Sequence, residues 1–249
     1  MIFYFSATGN SRHAAHKTAD INENIVSISE ALKTKNTEFN IHDGKLGIVF
    51  PVYFFGVPQA VMDFINSAVI NLKEKTYVYI LMTCGASTAN ADKFVKEALE
   101  KKGISVNAVY SVKMVDTYVP LFKIADKAEQ EKINSNADRE LEKIKKAIDE
   151  KISGNQNKNQ GLFPKTVTFF SYPFYKHRRF TKKFYVEDSC IGCGLCEKIC
   201  PSEAIKIEKG KPVWVKKQCN ICLGCLHRCP KEAIQYGKKS KTSGRYFYK

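Results

Sequence analysis

Two copies of one cysteine pattern, 29 residues apart, constrain this chain more than any other feature. The first reads Cys190-x2-Cys193-x2-Cys196-x3-Cys200-Pro201 and the second Cys219-x2-Cys222-x2-Cys225-x3-Cys229-Pro230. The copies extend beyond the cysteines, and Ser189–Ile205 aligns with Gln218–Ile234 without a gap, each ending in Cys-Pro-x-x-Ala-Ile. Three cysteines in one tight loop, with a fourth leaving it ahead of a proline, is the spacing that holds [4Fe–4S] clusters. Zinc is the competing reading, but zinc sites draw on separated Cys-x-x-Cys pairs. Cys225-Leu-His-Arg-Cys229 is not a haem-attachment sequence, so His227 reads as a surface residue beside a cluster. Two such halves imply a small pseudo-two-fold unit whose chemistry is one-electron transfer.

Charge divides the chain. Residues 1–153 carry 20 Lys and Arg against 19 Asp and Glu, whereas residues 154–249 carry 20 against 6. That break argues for two units of different surface character. The expected organisation is 1–153, a connecting arm at 154–184, and 185–249. The sequence starts with no basic, apolar leader, and no apolar run approaches the ~18 residues that span a membrane. The expectation is a cytoplasmic protein without a membrane partner. Eight of the nine cysteines lie in the repeat and read as reduced thiolate ligands; the ninth is Cys84.

The first 119 residues alternate strand and helix signals: apolar runs at Ile2–Phe5, Ile25–Ile28, Leu46–Phe50, Tyr77–Met82 and Ile104–Val115, with helices from Asn10, Pro58 and Ser87. This pattern predicts an α/β fold with a doubly wound, five-stranded parallel sheet. Ala137, Leu141, Ile144, Ile148 and Ile152 recur at helical spacing within a helix expected over 121–153. The stretch Gly154–Gly161 reads as a flexible linker. Residues 162–186 mix nine Phe or Tyr residues with six Lys, Arg or His residues between 176 and 183. Such interleaving can bind single strands of nucleic acid; the alternative is an arm packed against both units.

Three segments sit where open α/β sheets bind ligands, at the carboxyl ends of strands. Ser6, Thr8, Gly9, Asn10 and Ser11 form a polar turn opening a helix, suited to a phosphate. Pro51, Val52, Tyr53, Phe54, Phe55 and Gly56 offer rings to a planar heterocycle and a glycine that allows a backbone flip. Thr83, Cys84 and Gly85 are small enough for close backbone approach, with Cys84 read as a neutral packing residue.

On these motifs the first 153 residues resemble a flavodoxin, and residues 185–237 resemble bacterial two-cluster ferredoxins. The whole resembles the fused flavodoxin–ferredoxin proteins of anaerobes, whose C-termini carry a Gly-Arg-Tyr like Gly244-Arg245-Tyr246. The resemblance implies FMN, with its phosphate on the first loop and its ring between the second and third. It also implies crossed ligation: Cys190, Cys193, Cys196 and Cys229 on one [4Fe–4S] cluster, and Cys219, Cys222, Cys225 and Cys200 on the other. The expected function is electron transfer between the clusters, FMN and an acidic redox partner such as a ferredoxin or flavodoxin, drawn by the basic half. Two alternatives stand beside it: an FMN-dependent reductase of a quinone or nitro compound, and a nucleic-acid binder with structural clusters.

Overall fold

The computed structural model describes residues 1–42 and 44–248. The first unit contains, in chain order, β1 (Ile2–Tyr4), α1 (Asn10–Thr18), β2 (Ile25–Ser27), α2 (Ile28–Thr34), β3 (Glu38–Ile41), β4 (Lys45–Pro51), α3 (Gln59–Ser67), β5 (Val69–Leu72), β6 (Tyr77–Cys84), α4 (Ala91–Glu100), β7 (Ala108–Lys113), α5 (Lys127–Asp149) and β8 (Gly154–Asn155). A parallel sheet in the order β2-β1-β4-β6-β7-β8 forms its centre. The central strands β4 and β6 are almost wholly buried. That follows from their unbroken apolar sequence, the signature of strands covered on both faces. Helices α1 and α5 cover one face through Ala14, Ala15, Leu141 and Ile144. Helices α2, α3 and α4 cover the other through Ile28, Val61, Phe64, Val95 and Leu99.

The five expected strands are present, and the two-residue β8 adds a sixth at the edge. It arises where a flexible linker was expected. Asn155 pairs with Val109, and the amides that follow are fixed: Asn157 accepts from Ser111 Oγ at 2.6 Å and donates to Thr88 Oγ1 at 2.8 Å. Asn159 donates to Ser111 Oγ at 2.9 Å. The long helix starts at Lys127, capped by the Asp126 carboxylate, and Ile152 falls beyond its end. Pro58 stands at the N-cap of α3, one residue before the first helical position. Strands β3 and β5 form a separate two-stranded parallel sheet outside the expected pattern.

The second unit continues with α6 (Pro164–His177), β9 (Phe184–Val186), α7 (Leu195–Ile199), β10 (Ile205–Glu208), β11 (Lys211–Trp214), α8 (Gly224–His227) and β12 (Ile234–Tyr236). Its sheets are only two strands wide, β9 with β12 and β10 with β11, all antiparallel. Helix α6 forms the middle of the arm. Proline at its first position suits it. Tyr172 and Tyr175 turn inward, while Phe169 and Phe170 remain 72% exposed.

Candidate functional site

The two cysteine runs sort into two separate hollows. Cys190, Cys193, Cys196 and Cys229 line one. Cys200, Cys219, Cys222 and Cys225 line the other. The fourth cysteine of each run has crossed to the other three, so the fold brings together the sets implied by crossed ligation. Short helices α7 and α8 begin inside the equivalent loops and turn the chain around each hollow. Backbone N–H groups point at sulfur in matching positions. Ala204 N–H donates to Cys200 Sγ at 3.4 Å and Ala233 N–H to Cys229 Sγ at 3.3 Å. Ile221 N–H adds a third contact, to Cys219 Sγ at 3.3 Å. Such donors favour charged sulfur.

Among the described residues, no three His, Cys, Asp or Glu side chains converge as ligands of a single ion. A cluster puts each cysteine on a different iron, so its ligands stand farther apart than those of one ion. The hollows therefore fit a cluster as donor sets of four sulfurs with N–H groups aimed at them. Burial pushes the Cys196 thiol up to about 11 and those of Cys219 and Cys222 up to about 12. Burial alone thus favours neutral thiols here, and a bound metal would supply the charge compensation for thiolates.

A third cavity, of about 220 Å³, lies at the carboxyl ends of β1, β4, β6 and β7. Of the expected ligand-binding residues, Ser6, Thr8, Asn10, Ser11, Pro51, Val52, Tyr53, Phe54, Phe55, Thr83, Cys84 and Gly85 line it, whereas Gly9 and Gly56 do not. Ser11 Oγ is 2.8 Å from Thr83 Oγ1, which ties the first loop to the third. Asn10 donates to Val115 O at 3.0 Å, and its Oδ1 is buried without a hydrogen-bond partner among the described residues. An unpaired buried oxygen beside the open first turn of α1 suits a ligand carrying a donor. Burial lifts the Cys84 thiol to about 12, so it sits neutral at the cavity wall.

The second loop differs from expectation in where its strain falls. Tyr53 and Gly56 exchange backbone hydrogen bonds, both 3.0 Å, across a two-residue turn. The two residues inside that turn are Phe54 (φ 50) and Phe55 (φ 59). Left-handed backbone at both positions is the geometry normally given to Asn-Gly. Two phenylalanines there are strained, and such strain clusters at ligand sites. Phe54 is held by rings: Tyr118 meets it edge-on at 5.1 Å and Tyr175 stacks at 5.8 Å. Gly56 is not needed for a flip, because its φ is not positive. Glycine is required because the Tyr172 ring of α6 occupies the space of a Cβ.

Sequence reading missed a fourth loop, Val115–Tyr118 with Leu121 and Phe122, which lines the same cavity. The signal was its place after the fifth strand. It was hidden by extending that strand to Val115 and starting the helix at 121. The reading also missed Tyr175, Ile221, Cys222 and Leu223, which enter the cavity from the second unit. His227 is buried at 5% exposure rather than on the surface. Its Nε2–H donates to Thr117 O at 2.8 Å and its Nδ1 accepts from Tyr246 N–H at 3.3 Å. Burial lowers its pKa to about 4, which matches a neutral ring with one donor and one acceptor.

The units are joined by specific polar contacts. Asn220, next to Cys219, accepts from Ala60 N–H at 2.8 Å and so caps α3 of the first unit. Tyr175 Oη accepts from Gln59 N–H at 3.2 Å and donates to Asn220 O at 3.0 Å. Arg245 donates to Ser240 O at 2.8 Å and Gln235 Oε1 at 3.0 Å, which fixes the Gly244-Arg245-Tyr246 turn. From that turn Tyr248 N–H reaches Thr8 O at 2.8 Å and its ring stacks on His13 at 4.0 Å.

Residues 184–206 match the 4Fe-4S binding domain family, which covers the first cysteine run. The chain therefore carries an iron–sulfur motif. None of the curated proteins compared with it matches. Among solved structures it is similar to the Trp repressor binding protein from Bacillus subtilis, at 10% identity over 56% of this chain and 96% of that one, with TM-score 0.33. It is also similar to an FMN-dependent NADH-azoreductase from Bacillus anthracis solved with FMN, at 14% identity over 59% and 97%, with TM-score 0.36. Azoreductase AzrA gives 11% identity over 58% and 98%, with TM-score 0.35. No described helix is long and apolar enough to cross a membrane.

Proposed function

We propose that the protein is an electron-transfer flavoprotein carrying two [4Fe–4S] clusters and one FMN. One observation carries the reading: Cys222 belongs to the second hollow and also lines the cavity built by the loops after β1, β4 and β6. A group bound in that cavity would sit directly against a cluster ligand. The backbone N–H groups of the first turn of α1, with the Thr8 hydroxyl, would hold the phosphate. Phe54, Tyr118 and the Thr83–Gly85 backbone would bound the ring. FMN would supply both one- and two-electron chemistry there. The protein's part is to fix separation and to exclude water with the rings of Tyr53, Phe54 and Tyr118.

The basic second unit supports an acidic redox partner. A reductase of a small apolar acceptor is the second reading, supported by exposed Leu121 and Phe122 at the cavity wall. Anaerobic purification followed by metal, sulfide and flavin analysis tests the proposal. About eight irons and eight sulfides per chain, with one FMN, is the expected result. Zinc in place of iron, or a chain that takes up no flavin on reconstitution, would overturn it. Turnover of a quinone as fast as the clusters reoxidise would favour the reductase.

A further inference from the structure

A groove on the second unit adjoins both cysteine hollows from outside. Phe184 and Trp214 line the groove and also the hollow of Cys200, Cys219, Cys222 and Cys225. Their rings stack at 4.9 Å, 8° from parallel. Pro212 lines the groove and also the hollow of Cys190, Cys193, Cys196 and Cys229. The groove is thus separated from either donor set by one layer of side chains.

Its surface has the make-up of a protein interface. Phe180, Tyr185, Val213 and Val215 are exposed apolar groups around it. Lys182, Lys216 and Lys217 stand among them, and among the described residues no Asp or Glu lines the groove. The nearest acid in sequence, Glu187, is paired with Lys241 at 2.7 Å. An apolar centre with a charged rim of one sign suits a protein of opposite charge. Its position over both hollows suits a protein that carries electrons.

Resting on the cluster assignment above, we propose that this groove docks a small acidic one-electron carrier protein. Each encounter moves one electron from the carrier's reduced centre to one cluster. The carrier is oxidised by one electron, the cluster is reduced by one, and no bond or proton is transferred. The Phe184–Trp214 stack fills the gap and keeps it dry. Docking is brief, since redox encounters use small interfaces and gain speed from charge.

The test measures binding of an oxidised, acidic two-cluster ferredoxin to the full iron-loaded chain by calorimetry, with electron exchange followed separately. The wild-type affinity is expected to fall roughly tenfold or more between 50 and 300 mM salt. The triple reversal Lys182→Glu, Lys216→Glu and Lys217→Glu is expected to weaken binding by roughly a hundredfold, and Lys217→Glu alone by roughly tenfold. A control of equal charge change, Lys73→Glu with Lys101→Glu and Lys127→Glu, is expected to stay within about threefold. Iron and sulfide contents should be the same in all four proteins. Equal weakening by groove and control variants, no binding by the wild type, or tighter binding of a single-stranded oligonucleotide to the groove would each overturn the proposal. Metal analysis reports separately on the clusters: a chain without iron refutes the cluster assignment, whereas a loaded chain indifferent to groove reversal refutes only the docking site.

Discussion

The two halves of this molecule hold themselves together by different means. The first buries large side chains on both faces of a six-stranded sheet, with Phe3, Phe50 and Phe64 fully covered on one side and Tyr79 and Leu141 on the other. The second has two-stranded sheets and a core in which Cys196, Cys200 and Cys219 are themselves members, beside Ile205, Leu226 and Ile234. One half has hydrocarbon enough to define its own fold. The other has less of it, and a core built partly from cysteines would draw stability from bound metal.

Stripping the metal is the largest perturbation that comparison predicts. Chelation under anaerobic, oxidising conditions should leave residues 1–155 as a protease-resistant fragment while the chain beyond Thr181 is digested. A single unfolding step, identical with and without iron, would break the contrast. Cys222→Ser should halve the iron content to about four per chain and also disturb flavin binding; Cys84→Ser, at the same cavity, should leave iron unchanged. The reverse test is Phe64→Ala in α3. Emptying that site should cost about 3–5 kcal/mol, read from urea unfolding of the first half, with iron per folded chain unaltered.

Smaller effects probe the seam. Gly56→Ala forces Tyr172 from its place and should cost about 1–3 kcal/mol as well as weaken flavin binding, since it moves the strained Phe54–Phe55 turn. Asn220→Ala removes the cap on α3 and should cost about 1–2 kcal/mol, measured by denaturant midpoint. The smallest is a pH effect. Lys145 and Lys45, by hydrogen bonding and charge, hold the Asp20 carboxyl below its usual value. Its stabilisation is therefore complete above about pH 4 and is lost as pH falls further, toward the depressed folded value. Because Asp20 is half exposed, Asp20→Asn should cost less than about 1 kcal/mol at neutral pH.

What could be read beforehand depended on whether a signal was local. Cysteine spacing is local, and the crossed sets its resemblance implies are the sets the two hollows gather. So were the apolar runs of β1, β4 and β6, and hence the loops at their ends. The order of Gly154–Gly161 was not legible, because Asn157 and Asn159 are fixed by Thr88 and Ser111, partners far away in sequence. The burial of His227 depends on Thr117 and Tyr246 in the same way. The left-handed backbone at Phe54 and Phe55 contradicts local preference outright and is held by Tyr118 and Tyr175, which no window around residue 54 contains.

The hydrogen bond from Tyr248 N–H to Thr8 O has a consequence for biosynthesis. Tyr248 lies 240 positions after Thr8 in the chain, so Thr8 is synthesised long before its partner. The sheet can assemble while synthesis continues, but the loop after its first strand stays unlatched until both cysteine runs have emerged. The cavity behind that loop is thus closed only after both sets of cysteines are available, which gives maturation a direction written into the order of the chain.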